Sequence, residues 1–404
     1  MSICLKDFGV VCALGDSKAS VIAGLLKGSR DGLQLDADLP IAEPQFVGRV
    51  PDSVLASLKS SNAKTLTRND QLGQFAYSQI TDTLAPLVAE FGQQRIAVVI
   101  GTSTSGIEYG EQALKHKVAT GEYPENYHYS MQEMGTTAQF IADLCQAKGP
   151  VYSISTACSS SGKALVSAQA LLEADLADVV IAGGVDSLAK LTVNGFKALA
   201  STASAQTNPF AADRDGINIG EAAALFVVTK ELGGIQLLGA GETSDAHHLS
   251  APHPEGEGAL RAMQAALAEA NLDGTQIDYV NLHGTGTPKN DEMESQAMFN
   301  ACGSDVLCGS TKGMTGHTLG AAGALEAGIC WLLLHEQYNP DKKIPANVSD
   351  GERDRTLADI NLAGMDTSLQ DISESRTEHK KLKTCMSNSF AFGGNNISLV
   401  IGKQ

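Results

Sequence analysis

Short apolar segments rich in Val and Ile alternate along this chain with longer segments rich in Ala and Leu. The clearest strand-like segments are 96–100, 151–155, 178–182, 224–228, 277–281 and 397–401. The segments that begin at Ser159 and at Gly258 repeat their apolar residues with the period of an amphipathic helix. Strands that are apolar on both faces are typical of sheets covered by helices on both sides. The alternation therefore predicts a layered α/β protein with buried strands.

The two halves of the chain contain similar segments. Residues 98–104 and 280–287 each continue a strand into a turn with Gly and Thr, and residues 155–162 and 310–317 each precede an Ala-rich helix. Such self-similarity indicates a duplicated α/β unit. We therefore divide the chain into an N-terminal half, 1–235, and a C-terminal half, 236–404.

The charge balance restricts the partners of this chain. It has 29 Lys and Arg against 46 Asp and Glu, a formal net charge of -17. A surface with this excess of negative charge repels nucleic acid, so we expect no nucleic-acid partner. An acidic protein partner would need a local patch of Lys and Arg.

Cysteine usage and hydropathy indicate the compartment. The 8 Cys include no C-x-x-C pair, which predicts neither a zinc ribbon nor a disulfide framework and favours a reducing cytoplasm. Residues 1–7 do not have the pattern of a signal peptide, and the apolar run 327–334 is too short to span a bilayer. We expect a cytoplasmic protein without a membrane span.

Cys158 is the candidate nucleophile. It lies just after an apolar strand and at the start of a predicted helix, where the helix dipole would lower the pKa of its thiol. The small residues that follow it, Ser-Ser-Ser-Gly, would leave room for an acyl thioester. The other seven Cys are interpreted as buried structural residues.

Two His, His283 and His317, lie in Gly- and Thr-rich turns in which the backbone can approach a ligand closely. A lone His is more often structural than catalytic, but the duplicated fold would bring these two turns to one crevice. His247, His248 and His253 form a local cluster without carboxylate or thiol ligands at a usual spacing. A binding loop is therefore favoured there over a metal site.

Other candidate features are ambiguous on the residues alone. Lys312 and Glu326 are as compatible with solvated surface charges as with site residues. Segment 389–396, with two Phe beside two Gly, is either a mobile hydrophobic plug or an ordinary β-bulge. No dinucleotide-binding or P-loop motif is present.

Five motifs in this order resemble the β-ketoacyl-acyl carrier protein synthases of the elongating type. They are Ser155-Thr-Ala-Cys-Ser-Ser, Phe210-Ala-Ala-Asp-Arg-Asp-Gly-Ile-Asn-Ile-Gly-Glu, His283-Gly-Thr-Gly-Thr-Pro-Lys-Asn-Asp, Thr311-Lys-Gly-Met-Thr-Gly-His and Asn388-Ser-Phe-Ala-Phe-Gly-Gly. The resemblance covers nearly the whole chain. It implies the thiolase fold, with duplicated α/β halves in an α-β-α-β-α layered arrangement.

The resemblance also implies an acyltransferase reaction. Cys158 would accept an acyl chain from the phosphopantetheine of an acyl carrier protein. Malonyl-carrier protein would then lose carbon dioxide near His283 and His317, and its carbanion would attack the acyl thioester, extending the chain by two carbons. Cys158→Ala is expected to abolish acyl transfer, whereas replacing either His should permit acylation but block decarboxylation.

The supporting residues are likewise implied by the family. Lys312 and Glu326 match a buried ion pair beside the second His, and the backbone N–H groups of Cys158 and Phe392 match an oxyanion hole. The substrate-binding positions are Thr285 and Thr287 for the pantetheine arm, and Phe390, Phe392 and Gly393 at the gate. No metal is expected, and no cofactor besides the phosphopantetheine that the carrier protein brings.

Some positions depart from the family pattern. The last motif has Ala between its two Phe, where Gly is usual. Only Lys64 and Arg68 occupy the region where relatives have a richer basic patch for carrier-protein docking. Ser-Thr-Ala-Cys-Ser-Ser-Ser, Asp-Ala-His-His-Leu-Ser-Ala-Pro-His-Pro and Val-Asn-Gly-Phe look most like ketosynthases of aryl-polyene pathways.

Three alternatives to this interpretation require different catalytic residues. A coenzyme A thiolase would use a second catalytic Cys, for which Cys385 is the candidate, and a chain-initiating synthase would pair one His with an Asn. A non-catalytic chain-length-factor-like subunit would lack the nucleophile.

We expect a dimer, either of identical chains or with a related chain-length-factor subunit.

Overall fold

The computed structural model describes residues 3–36, 44–57, 66–231, 233–365 and 382–403. Within these ranges, the strands are β1 Ile3–Cys12, β2 Leu33–Asp36, β3 Gln45–Gly48, β4 Ile96–Gly101, β5 Val151–Ile154, β6 Val179–Asp186, β7 Ile219–Gly220, β8 Ala222–Thr229, β9 Ile235–Ser244, β10 Tyr279–Asn281, β11 Leu307–Gly309, β12 Asn361–Leu362, β13 Thr384–Phe390 and β14 Asn395–Lys403. All six strand segments predicted from the sequence are present.

The helices lie between these strands. They are α1 Lys18–Lys27, α2 Asp52–Leu55, α3 Arg68–Ser78, α4 Thr81–Phe91, α5 Ile107–Thr120, α6 Thr136–Cys145, α7 Ser160–Glu173, α8 Lys190–Ala198, α9 Glu257–Ala270, α10 Pro288–Cys302, α11 Lys312–Thr315 and α12 Ala322–Leu334. Among the described residues, no helix is both long enough and apolar enough to cross a membrane.

The main sheet repeats one topology twice. Its strand order is β12-β11-β10-β13-β14-β9-β1-β8-β6-β4-β5. If β1, β4, β5, β6 and β8 are numbered one to five, the N-terminal half has the spatial order 3-2-4-5-1. The strands β9, β10, β11, β13 and β14 give the same order in the C-terminal half, with the same parallel and antiparallel pairings. The predicted duplication is therefore present in the fold.

The two halves meet at β1 and β9, which pair through Ile3 and Cys4. The second copy of the repeat begins with β9, at Ile235. Because one continuous sheet runs through both halves, the division at 235/236 stays a prediction about domains.

Helices form three layers around the sheets. Helices α3 and α6 cover the outer face of the N-terminal half, and α9 and α10 lie outside the C-terminal half. Between the two halves lie α7 and α12, which pack on each other and on strands of both halves. The apolar core divides accordingly into three main clusters, one at each helical layer. This is the predicted α-β-α-β-α arrangement, and it places the start of α7 at the centre of the molecule.

Candidate active site

Cys158 lies in a strained turn between β5 and α7. The preceding residue, Ala157, has a φ of 53°, a left-handed conformation that a residue with a Cβ rarely adopts. Its carbonyl accepts the Ser160 hydroxyl, whose oxygen accepts the Thr156 N–H at 2.8 Å. These bonds hold the turn closed, so the Cys158 side chain, 4% exposed, is fixed at the base of a cleft.

The small residues after Cys158 have a different role from the one expected. Ser159, Ser160 and Ser161 are fully buried. A Cβ on Gly323 of α12 would come within 2.7 Å of the Gly162 backbone nitrogen. The Ser-Ser-Ser-Gly segment therefore permits close packing of α7 against the strands and α12, rather than providing space for an acyl chain.

The sulfur of Cys158 contacts His317, whose Nε2 lies 2.9 Å from Sγ. The backbone N–H groups of Phe392 and Cys158 also point at the sulfur. Burial nevertheless raises the pKa of the thiol to about 11, and the opposing effects of the Lys312 charge and the N–H groups are smaller. The expectation of a lowered pKa is therefore wrong for the unloaded site, because desolvation exceeds the effect of the helix start.

His317 is fixed by its backbone and has one free ring nitrogen. Its N–H donates to the Asn218 carbonyl at 2.7 Å, and its own carbonyl accepts the Gly220 N–H at 2.8 Å. Burial, reinforced by the charge of Lys312, lowers the pKa of the imidazole well below 6.5. No described residue bonds to Nδ1, so either tautomer of the neutral ring is available.

His283 lies at the end of β10, with its ring 5.3 Å from that of His317 and nearly perpendicular to it. Glu294 accepts the backbone N–H groups of His283 and Gly284 at 2.6 and 2.7 Å, which fixes the turn. Burial is the main reason that the pKa of His283 lies well below 6.5, and Lys312 lowers it further. Both imidazoles are therefore neutral at physiological pH.

Lys312 and Glu326 form the expected buried ion pair, with side chains 1% and 2% exposed. The pair lies beside His283, since Lys312 Nζ is 3.3 Å from Nδ1 of that ring. The sequence-based expectation placed it beside His317; the direct contact is with His283, and the Lys312 charge also acts on His317. An ammonium has only donors, so Nδ1 of His283 accepts and its proton resides on Nε2.

We expect Lys312→Met to move the acid limb of the decarboxylation rate to higher pH. The Lys312 charge lowers the pKa of both imidazoles, so its removal raises them and increases the protonated fraction in weak acid. A shift of about half a pH unit or more is expected in a pH–rate profile between about pH 5 and 8. Glu326→Gln retains the positive charge of Lys312 and should not move the acid limb to higher pH. An upward shift in both variants, or in neither, would contradict this electrostatic role.

A cleft of about 290 Å³ opens above the three reactive side chains. Its walls include all the predicted substrate-binding residues except Gly393: Thr285, Thr287, Phe390 and Phe392. The hydroxyls of Thr285 and Thr287 lie 2.9 Å apart. The structure thus brings the predicted polar and aromatic residues to one cleft, although their roles stay predictions.

A hydrogen bond links the segment around Phe392 to the loop that contains His247, His248 and His253. Gly393 has a φ of 85°, is exposed, and donates its N–H to the Leu249 carbonyl at 2.7 Å. The ring of Phe392 lies 5.3 Å from that of Phe196 in α8. His248 lines the cleft, which agrees with a binding loop rather than a metal site for this segment.

Two acidic residues were not singled out from the sequence as positioning residues. Asp291 accepts the N–H groups of Phe210 and Gly286, and Glu294 holds the His283 turn. Both are fully buried on α10. The available signal was their spacing of three residues on a helix directly after the His283 motif, which places them on one face toward that turn.

The two docking candidates have different outcomes. Lys64 lies outside the described residues. Arg68 makes a bidentate ion pair with the buried Glu221 and a second ion pair with Asp52, and its side chain is only 14% exposed. This geometry commits the guanidinium to partners within the chain and disfavours a docking role.

Cys158, His283 and His317 place their ligand atoms within 4.8 Å of one another, a spacing that a metal ion could also use. The ammonium of Lys312, 3.3 Å from His283, would repel a cation there. Cys385, the second Cys that a thiolase would need, is fully buried and is not among the residues lining the cleft. The base of the cleft therefore offers one thiol, Cys158, and two imidazoles, His283 and His317.

Comparison with known proteins agrees with this geometry. The β-ketoacyl synthase N-terminal domain model matches residues 55–232, and the C-terminal domain model matches residues 235–343. The chain belongs to the β-ketoacyl synthase family. The predicted family and acyltransferase class are thus confirmed.

Several relatives match most of the chain. The 3-oxoacyl-[acyl-carrier-protein] synthase 2 of Staphylococcus aureus is 31% identical over 84% of this chain and 83% of its own. The protein of the same name from Vibrio harveyi is 29% identical over 99% of this chain and 98% of its own. A chain in the structure of the ketosynthase ApeO with its chain length factor ApeC, from Xenorhabdus doucetiae, is 40% identical. That match has a TM-score of 0.85 and covers 100% of this chain and 98% of that one.

Proposed function

We propose that this ketosynthase condenses malonyl-carrier protein with an acyl group on Cys158 in an aryl-polyene-type pathway. The observation that carries the proposal is the contact of 2.9 Å between the Cys158 thiol and the His317 imidazole, with a second neutral imidazole beside it. The 40% identity to a chain of the ApeO–ApeC complex supports a ketosynthase function. The three sequence segments that look like those of aryl-polyene ketosynthases support the pathway. The reaction proceeds in two steps.

In the acylation step, Sγ of Cys158 attacks the thioester carbonyl of the acyl-carrier protein. Nε2 of His317 takes the thiol proton as the S–C bond forms, which avoids a free thiolate in a buried site. The N–H groups of Cys158 and Phe392, which point at the sulfur, stabilise the oxyanion. His317 then returns the proton to the departing pantetheine thiol and is neutral again.

In the condensation step, the C–C bond to the carboxylate of the malonyl group breaks and carbon dioxide leaves. The electron pair develops as enolate charge on the thioester oxygen. There Nε2–H of His283 and Nε2–H of His317, the latter now in its other neutral tautomer, donate hydrogen bonds. The carbanion attacks the acyl carbonyl and the C–S bond to Cys158 breaks. A solvent proton restores the thiol, leaving a 3-oxoacyl chain on the carrier protein.

The edge of the sheet supports a dimer. Strand β5 pairs only with β4 among the described strands, and each of its four residues is half-buried. The helix α5 exposes Leu114 and Val118, at 55% and 81%. A strand with one free edge, and exposed apolar side chains elsewhere in the same half, suit a second subunit. We propose a chain-length-factor subunit as this partner, because the ApeO ketosynthase is paired with ApeC.

The substrate brings the only prosthetic group that this chemistry requires. Carbon dioxide release drives the condensation, so we propose that no bound metal or redox cofactor takes part and that phosphopantetheine arrives on the carrier protein. We place the enzyme in the cytoplasm, where reducing conditions keep the Cys158 thiol free.

We expect one acyl adduct on the chain when it is incubated, with and without a co-expressed chain-length-factor subunit, with a panel of acyl-carrier proteins. Saturated and aryl-polyene-like acyl groups should be compared by intact mass, and native mass gives the subunit composition. A preference for the aryl-polyene group in the heterodimer supports the pathway. Equal or better labelling by saturated groups would contradict it, and no adduct in either form would contradict the catalytic role.

A further inference from the structure

Residues 283, 285 and 287–290 line one wall of the cleft, from its base toward its mouth. His283, Thr285, Thr287 and Lys289 are all lining residues. Their exposure increases in that order, from 1% and 7% for the first two to a half-buried Thr287 and an exposed Lys289. The segment therefore presents an imidazole at the reaction centre, hydroxyls along the cleft and an ammonium at its opening.

Lys289 makes no ion pair or hydrogen bond with any described residue. It is the second residue of α10, which begins at Pro288. A cation in the first turn of a helix is unfavourable for the helix itself, because the helix dipole is positive there. An exposed Lys at this position therefore makes no described contact that would stabilise the fold.

The other charged groups of the cleft wall are two carboxylates, and both accept hydrogen bonds from neighbouring residues. Asp215 accepts the N–H and the hydroxyl of Ser204, and Asp245 accepts Asn396 Nδ2 and the His253 N–H. Lys289 is the one Lys or Arg among the described residues that line the cleft. The chain has a formal net charge of -17, so its surface as a whole repels anions. Lys289 supplies the positive charge that an anion would meet at the mouth of the cleft.

We propose that Lys289 binds the phosphodiester of the phosphopantetheine arm at the cleft mouth. This inference rests on the proposed function, because it requires that the acyl group enters on such an arm. The phosphodiester is the arm's only charged group, and it lies at the end farthest from the thioester. A thioester seated at Cys158, with the arm along Thr285 and Thr287, directs that anion toward the exposed end of the same wall. The ammonium then supplies a charge-assisted hydrogen bond.

The test compares Cys158 acylation by two synthetic thioesters that differ only in the phosphate, acyl-phosphopantetheine and acyl-pantetheine. The protein is the complete chain, with its partner subunit if activity requires one. Wild type should prefer the phosphorylated thioester by about 5- to 10-fold at low salt, less at high salt. Lys289→Gln should reduce the ratio to below about twofold, and Lys289→Arg should retain most of it.

Lys27→Gln is the matched control. Lys27 is exposed on α1 and does not line the cleft, so the same loss of charge there should leave the ratio unchanged. An equal ratio in wild type and Lys289→Gln, or an equal slowing of both thioesters in that variant, would overturn the inference while leaving the proposed function intact. Failure of wild type to accept any thioester would instead overturn the proposed function, and this inference with it.

The phosphate that Lys289 binds could belong to the carrier protein's phosphopantetheine or to coenzyme A. A comparison of malonyl-carrier protein with malonyl-coenzyme A distinguishes these two substrates. With the carrier protein, Lys289→Gln should raise KM by about 3- to 10-fold with little change in kcat, because the contact is made in bound substrate and transition state alike. A rise confined to the coenzyme A ester would overturn the assignment to the carrier's phosphodiester.

Discussion

Cys158→Ala is expected to reduce condensation by about 10³-fold or more, because no other group in the cleft can form the acyl intermediate. The side chain is 4% exposed and small, so truncation to Ala creates little empty volume and the fold should be retained. Intact mass after incubation with acyl-carrier protein measures the missing adduct directly.

Cys145→Ala is the matched control for this variant. Cys145 is also buried, and its thiol donates a hydrogen bond to the Ala142 carbonyl of its own helix. It should form the acyl adduct as wild type does. An adduct on Cys158→Ala at another thiol, or condensation at the wild-type rate, would contradict the role of Cys158 as nucleophile.

The repeat explains why so much of the fold could be predicted from the sequence. Apolar strands and amphipathic helices are local patterns, and the segments around Cys158 and around His317 precede equivalent helices, α7 and α12. Once the chain is understood as a duplicated unit, equivalent turns must meet between the halves. The proximity of Cys158 and His317, 159 residues apart, follows from that symmetry.

Interactions between side chains from different elements were less predictable. The sequence places Lys312 five residues from His317, yet its ammonium faces His283. The orientation of the short helix α11 decides this, and periodicity does not encode it. Arg68 resembles a surface cation in the sequence, but the buried carboxylate of Glu221, 153 residues away, binds its guanidinium.

The protonation state of Cys158 depends on burial in the same way. A helix start lowers the pKa of an exposed thiol, but this sulfur is buried, and desolvation dominates. Both Cys158 and His317 therefore rest in neutral forms. Sγ of Cys158 lies 2.9 Å from Nε2 of His317. The thiol therefore becomes nucleophilic only as its proton moves to that imidazole.

This geometry predicts that the two His differ in the acylation step. His317→Ala should slow acylation by about 10²-fold or more, because the imidazole that takes the thiol proton is lost. His283→Ala should slow acylation by less than about threefold, since the described ring contacts of His283 are with Lys312, His317 and Phe390. Decarboxylation should fall by about 10²-fold or more in both variants, because each removes a donor to the enolate.

Single-turnover acylation followed by mass, and carbon dioxide release from malonyl-carrier protein, separate the two steps. Asn substitutions refine the comparison, because an amide donates a hydrogen bond but does not accept a proton from a thiol. His283→Asn should therefore recover part of the decarboxylation rate, whereas His317→Asn should not recover acylation. The sequence alone predicted that both Ala variants still permit acylation. Equal acylation by His283→Ala and His317→Ala would support that simpler expectation and would mean that the contact between His317 and Cys158 carries no proton.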